Sequence, residues 1–562
     1  MTRENPDCAM PTTKIKAAAR PPGRTPAFCR PPSIATFRAR PTVGSKPAMH
    51  LDRAATLARL RAAQPFATDV LILGGGINGA GLLRELALNR IDALLVDQAD
   101  FAAGATSASS RMIHGGLRYL ENGEFRLVRE ALHERNRLLK HAAHAVKPLP
   151  TTIPIFSRWS GFVSAAKKFF GTHEKPSKRG AVLIRIGLTL YDIFAGRDRV
   201  LPRHKFSSRA AALRKRPQLH PGIVCTATYY DAWVSLPERL CLELIDDACA
   251  LHPGAGALNY GGAVRAEGGE VILRESVGGT ELRVRPRAVV NATGAWIDFT
   301  DGALGERTAF IGGTKGSHLV LDHAELFAAT QGEEIYFENE DGRICLFFPI
   351  HGKVLVGTTD LRIDEPGQAV CDEREIDYIL DSITHVFPAL RVGREHIVSH
   401  FCGVRPLPRT PDGYTGAISR DHHCEILPPK DGRPWPVYAL VGGKWTTFRA
   451  FAEQVTDKLL AQLGRTRRAD SRDLAIGGRE PEPDYSNHAS LGEILATEAV
   501  VHLDDLLLRR TPLALYGFLD EKKFDGLAAL AATILGWDAS RRAEETARAR
   551  RILAERHGIH LR

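Results

Sequence analysis

Residues 69–81 read DVLILGGGINGAG, and this segment limits what the chain can fold into more tightly than any other. Asp69 to Leu73 is a short apolar run rich in branched residues, the pattern of a buried strand. It runs into Gly74-Gly75-Gly76-Ile77-Asn78-Gly79, which fits G-x-G-x-x-G, and Leu82, Leu83 and Leu86 follow at helical spacing. In such a strand–turn–helix unit one glycine makes the tight turn, one lets the backbone approach a pyrophosphate, and one lets helix and strand pack closely. The amides at the helix start then face negative charge. A second apolar run, Ala93 to Val96, ends on Asp97, roughly 20 residues further on, where a ribose-binding carboxylate belongs. The pattern predicts a dinucleotide-binding βαβ unit contacted by Gly74, Gly76, Ile77, Asn78, Gly79 and Asp97. By itself it does not separate FAD from NAD.

The stretch GATSASSRMIHGGLRYL (104–120) adds Thr106, Ser107, Ser109 and Ser110, then a basic-aromatic cluster. These hydroxyls suit capping of a helix or donation to phosphate and flavin groups. Gly115 and Gly116 allow backbone to lie against a flat ring.

From about residue 66 to 465 the chain resembles the FAD-dependent glycerol-3-phosphate dehydrogenases, a branch of the D-amino-acid-oxidase-like flavoproteins. The segments that carry the resemblance are GGGINGAG (74–81), ATSASSRMIHGGLRYLENGEFRLVREAL (105–132), IRIGLTLYD (184–192), NATGAW (291–296), KGSHLVL (315–321), VGTTD (356–360), GVRPL (403–407) and GGKWTTFR (442–449). The resemblance implies FAD as cofactor, sn-glycerol 3-phosphate as substrate and a membrane quinone as electron acceptor. An oxygen-using oxidase, a hydroxy- or amino-acid dehydrogenase and a non-catalytic flavin-binding protein are the rival readings.

A phosphate monoester carries nearly two negative charges at neutral pH, so its pocket needs several cations with fixed donors. The resemblance assigns Arg118, Arg405, Arg420 and Lys444 to that task, with Tyr119 orienting substrate and Lys315 adding charge near the ring. Loss of the alcohol proton calls for a base that works near neutrality, which suits histidine. His114 is the first candidate and His318 the second, and the expected catalytic set is His114, Arg118, Arg405 and Lys444. Thr293, Gly294, Gly443, Thr446 and Thr447 join the expected cofactor contacts, the two threonines at the flavin pyrimidine edge. Asp97 stands where the family often has Glu, and Ser-Leu-Pro (235–237) stands where acids are common.

At 562 residues the chain exceeds one core. The expected class is α/β: a Rossmann-like FAD-binding domain, an α+β antiparallel-sheet substrate domain and a C-terminal helical domain. The FAD domain is expected in two parts, 66–145 and 225–310, with a membrane-proximal or substrate-domain segment at 146–224. The substrate domain follows at 311–400, a site-closing segment at 401–465, a linker at 466–485 and the helical domain at 486–562. Within the substrate domain Glu334–Glu338, Ile344–Ile350 and 354–358 read as an antiparallel meander. Asp372 and Glu375 fit a capping box ahead of a helical stripe.

The nine cysteines show no C-x-x-C pair, which argues for a reducing compartment and against zinc. No run of about 18 apolar residues suggests a transmembrane span. Residues 1–50 hold nine Lys/Arg against two acids, +7 of the chain's +10, and nine of its 33 prolines. Such composition cannot build a core; residues 1–65 are expected to be a disordered extension, with Met49 as an alternative start. Without an aromatic stacking platform there, nucleic-acid binding is not expected. Residues 158–170, with Trp159, Phe162, Val163, Ala166 and Phe170 on one stripe and Lys167 and Lys168 off it, suit an interfacial helix. The expected location is peripheral, on the cytoplasmic face of the cell membrane, with a homodimer as one possible assembly.

Overall fold

The computed structural model describes residues 49–121, 123–160, 179–196, 199–410, 418, 420–477 and 483–561. Within them lie two sheets and a helical C-terminal region.

The strand–glycine–helix unit forms as read: strand Phe66–Leu73 enters helix Ile77–Leu88, and Leu82, Leu83 and Leu86 are buried. Gly74 has φ +107°, and a Cβ there would sit 2.6 Å from the carbonyl oxygen of Ala292. That backbone is open only to glycine. At Gly79 a Cβ would overlap the Gly74 carbonyl, so this glycine brings the helix onto the turn.

Strand Phe66–Leu73 pairs in parallel with Ala93–Val96 on one side and Glu281–Asn291 on the other. Ala255–Leu258 and Val437–Val441 extend the parallel part, and His423–Leu427 closes one edge antiparallel. The cofactor sheet is therefore discontinuous, as expected, but its boundaries differ from the sequence reading. Strands at 423–427 and 437–441, within the 401–465 segment expected to close the FAD and substrate site, belong to it. Conversely, Cys225–Val234 leaves it and pairs along its length with Val146–Ile155 in the second sheet.

That second sheet contains the meander Glu334–Glu338, Ile344–Ile350 and Lys353–Gly357, antiparallel as expected. Thr314–Leu321 pairs with Lys353–Gly357 and with Ile397–Arg405. Helix Glu373–Val386 starts in the expected capping box of Asp372 and Glu375, and its stripe of Ile376, Ile379, Leu380 and Ile383 is buried against the sheet.

Helices His488–Thr497, Glu521–Leu535 and Ala539–His557 make up most of the C-terminal region. Leu491, Leu503, Phe524 and Leu553 share one core with Val320, Phe348 and Phe401 of the second sheet. The preceding segment is a packed strap as well as a connection: Arg467 binds Glu85, and the carbonyl of Ala475 accepts from Arg84.

Disorder does not extend through residue 65. Helix Arg53–Ala62 is capped by Asp52, Met49 is buried, and the guanidinium of Arg53 reaches Glu275 and Asn259. Residues 1–48 lie outside the described residues, as does 161–178, which holds most of the proposed interfacial helix. No helix among the described residues is long and apolar enough to cross a membrane.

Candidate active site

A cavity of about 400 Å³ runs from the glycine turn to the second sheet, a size typical of small-molecule sites. At one end lie Gly74, Gly76, Ile77, Asn78 and Asp97, with Thr106, Ser109, Ser110, Thr293 and Gly294 further along. Asp97 accepts from the backbone amides of Gly75 (2.6 Å) and Ala99 (2.9 Å). Burial nonetheless pushes its carboxyl up to about 6. A hydroxyl donor would favour the charged form. The Thr106 hydroxyl accepts the Ile77 amide at the helix start (3.0 Å).

At the other end the lining includes His114, Tyr119, His318, Arg405, Arg420, Gly443 and Lys444. They come from segments up to 330 residues apart, joined because both sheets end at the cavity. The Arg405 guanidinium lies over Gly316, where a Cβ would collide with it. It is held by Asp360 (3.1 Å), the Thr358 hydroxyl (2.9 Å) and the Thr359 carbonyl (3.1 Å). Asp360 belongs to VGTTD, a segment that signalled the family without a role for this residue. Lys444 places its ammonium 4.5 Å from the centre of the Tyr119 ring. Its Nζ is buried without a hydrogen-bond partner among the described residues. Burial pushes that ammonium down to about 7, with Glu130 and Glu124 opposing and Arg420 reinforcing the shift.

The two histidines sit neutral. Burial, with Lys444 and Arg420 nearby, brings His114 down to about 3; burial, with Arg405 and Arg111, does the same for His318. Thr446 Oγ1 bridges the backbone of His114, accepting from its amide (3.1 Å) and donating to its carbonyl (3.2 Å). The His318 ring stacks on Phe401 (5.1 Å, 17°), and its Nε2 is paired with Ser110 Oγ at 2.7 Å. Nδ1 of His318 is buried with no hydrogen-bond partner among the described residues.

Several expected contacts are corrected. Lys315 faces away from the cavity, because side chains alternate along Thr314–Leu321: Gly316 and His318 line the cavity, while Lys315 and Ser317 meet Glu375 on the opposite face. Lys315 is neutralised there by Glu375 (2.8 Å) and Asp372 (3.0 Å). Gly115 turns its amide to the Tyr191 hydroxyl (2.8 Å), behind the cavity wall. Ser107 donates back to the Gly104 carbonyl (3.1 Å), as a local cap. The Thr446 hydroxyl is engaged with the His114 backbone, while Thr447 Oγ1 is buried without a hydrogen-bond partner among the described residues. The side chain of Arg118 lies outside the described residues.

The donor set fits a flavin dinucleotide. Asn78 Oδ1, His318 Nδ1 and Lys444 Nζ are buried polar atoms of cavity-lining residues that have no hydrogen-bond partner among the described residues. Buried polar atoms of that kind call for a ligand or water. Sites of this construction belong to dinucleotide-dependent oxidoreductases. Comparison with known proteins narrows the class: the chain belongs to the FAD dependent oxidoreductase (DAO) family, whose model matches residues 69–457. The cofactor is FAD, as the sequence resemblance implied.

Among relatives, a glycerol-3-phosphate dehydrogenase of Synechocystis sp. is 37% identical over 426 residues, 72% of this chain and 72% of the relative. A D-erythritol 1-phosphate dehydrogenase of Brucella abortus is 33% identical, covering 76% of this chain and 81% of the relative. A solved glycerol-3-phosphate dehydrogenase from Bacillus halodurans, complexed with FAD, superposes with a TM-score of 0.66 over 89% of this chain and 97% of that one. At 21% identity that likeness speaks for the fold alone.

Proposed function

We propose that the chain oxidises sn-glycerol 3-phosphate to dihydroxyacetone phosphate and delivers the electrons to a membrane quinone. The observation that carries this reading is the cationic end of the cavity, where Arg405, Arg420 and Lys444, whose Nζ has no hydrogen-bond partner among the described residues, stand beside two neutral imidazoles. A dianionic phosphate satisfies that cluster; a carboxylate, with one charge, leaves more of it uncompensated. Arg405 supplies a planar fork already held by Asp360 and Thr358, so little ordering is needed on binding. Bound FAD supplies the hydride acceptor. His114, neutral and fixed by Thr446, takes the hydroxyl proton, and His318 Nδ1 orients the carbinol. Burial depresses His114 most, and the bound phosphate raises its basicity only by offsetting the lesser effect of the nearby cations.

A membrane surface as the place of work is supported by an exposed apolar patch. On helix Ala181–Phe194, Ile186 and Ile193 are exposed seven residues apart, on one face; Phe125, its ring tilted against that of Phe194 at 5.9 Å, and Trp159 are exposed as well. The Brucella relative favours a second reading in which the polyol phosphate is longer, its phosphate grip unchanged. Turnover of the FAD-loaded protein with a soluble quinone analogue, with and without lipid vesicles, tests the proposal. Dihydroxyacetone phosphate formed in step with quinol is the expected result. Peroxide in its place points to an oxidase, and turnover with D-erythritol 1-phosphate alone points to the second reading.

A further inference from the structure

Arg111 stands out among the buried residues that the proposed chemistry does not use. It has φ +59°, a left-handed conformation that is uncommon for a side chain of this size. Strain of this kind persists where surrounding structure over-determines it, and here the guanidinium supplies the constraint. It grips both carboxylate oxygens of Glu238 (3.2 and 3.4 Å) and donates to the Ser235 carbonyl (3.3 Å). Its Cζ lies 5.9 Å from the Phe401 ring centre and 5.8 Å from that of Tyr516. Phe401 is the ring on which His318 stacks, and Ser110, the residue before Arg111, bonds His318 Nε2. The histidine is thus held on two sides by groups that both lead to Arg111. A third side is closed by Gly357, where a Cβ would collide with the imidazole.

We propose that Arg111 is a positioning residue for His318, and that Tyr516 makes the C-terminal helical region part of the active-site support. The inference rests on the reading of His318 as the group that orients the carbinol. The left-handed turn at Arg111 presents the Ser110 hydroxyl to Nε2, which leaves Nδ1 facing the cavity. Tyr516 is fully buried, and its neighbour Leu515 accepts from Ser399 on the strand that also carries Phe401 (2.6 Å). The helical region therefore grips both the strand under His318 and the arginine beside it. A shift there moves the imidazole without touching the cations that hold phosphate.

A double-mutant cycle on the FAD-loaded enzyme tests this. Arg111→Lys and Ser110→Ala are each expected to lower kcat roughly tenfold or more, the scale of a small misplacement at a reacting centre. KM is expected to stay near the wild-type value, because Arg405 and Lys444 are untouched. The double variant is expected to be no slower than the worse single one, since both act through one imidazole. Multiplying effects, or a kcat per bound flavin equal to wild type, would overturn the proposal. If Arg111→Lys does not accumulate as a folded flavoprotein, Tyr516→Leu takes its place in the cycle with the same two readings. Failure of the wild type to turn over sn-glycerol 3-phosphate would count against the substrate assignment and not against this coupling. The cycle then runs on whichever polyol phosphate reduces the flavin.

Discussion

Lys444 lies over the ring of Tyr119 with its ammonium 4.5 Å from the ring centre and buried. A cation–π contact partly replaces lost hydration, yet burial still brings the ammonium down to about 7. The charge that should hold phosphate is therefore half lost near neutrality in the free enzyme. A bound dianion pulls the proton back, so substrate affinity and proton uptake are linked. KM for the phosphate substrate should rise with pH above about 7, approaching tenfold per unit, and Lys444→Met should raise KM and flatten that rise. A pH series of kcat/KM on both proteins checks it.

Arg405 meets Asp360, Thr358 and Thr359 on one side and the cavity on the other. Removing a charge-assisted contact to substrate costs about 1.5–3 kcal/mol. Arg405→Ala should therefore raise KM about ten- to a hundredfold with flavin retained. Arg405→Lys should recover little, because a point charge cannot reproduce the fork. Steady-state kinetics with flavin content read in parallel decides; loss of flavin would mean that Arg405 supports the cofactor.

Lys315 gives the opposite expectation. Its ammonium is committed to Glu375 and Asp372, with Glu375 almost fully buried. Lys315→Met should leave KM unchanged and cost about 1–3 kcal/mol of stability by stranding that carboxylate. Thermal unfolding and kinetics on the same preparation separate the two effects.

At the glycine turn, Gly74→Ala forces a side chain into φ +107° and against the Ala292 carbonyl. The strain is about 1–3 kcal/mol, and it falls on the backbone that approaches the pyrophosphate. The variant should fold with little flavin, seen as a low ratio of visible flavin absorbance to protein absorbance.

Local signals in the sequence carried much of this. The strand–glycine–helix unit, the meander at 334–357 and the capping box at Asp372 depend on neighbouring residues, and each forms as read. His114, Arg405 and Lys444 were legible because their segments matched a family. What escaped depends on register and on distant partners. Lys315 and His318 are three residues apart on one strand, and only the pairing of that strand sends one to Glu375 and the other to the cavity. The Gly115 amide meets Tyr191, 76 residues away, a partner that no local pattern announces. Arg111 carried no signal, since a left-handed arginine is disfavoured locally and is held by Glu238 and Tyr516 from far along the chain. The shared core of the C-terminal helices and the second sheet likewise could not be read from helical periodicity.

We propose that this flavin takes electrons from a polyol phosphate gripped by Arg405, Arg420 and Lys444. Anaerobic mixing of the FAD-loaded protein with sn-glycerol 3-phosphate tests it most directly, with glycerol and glycerol plus inorganic phosphate as controls. Rapid, saturable bleaching of the flavin with the phosphate ester alone is the predicted result. A flavin that stays oxidised with every polyol phosphate, while dithionite still reduces it, would contradict the account.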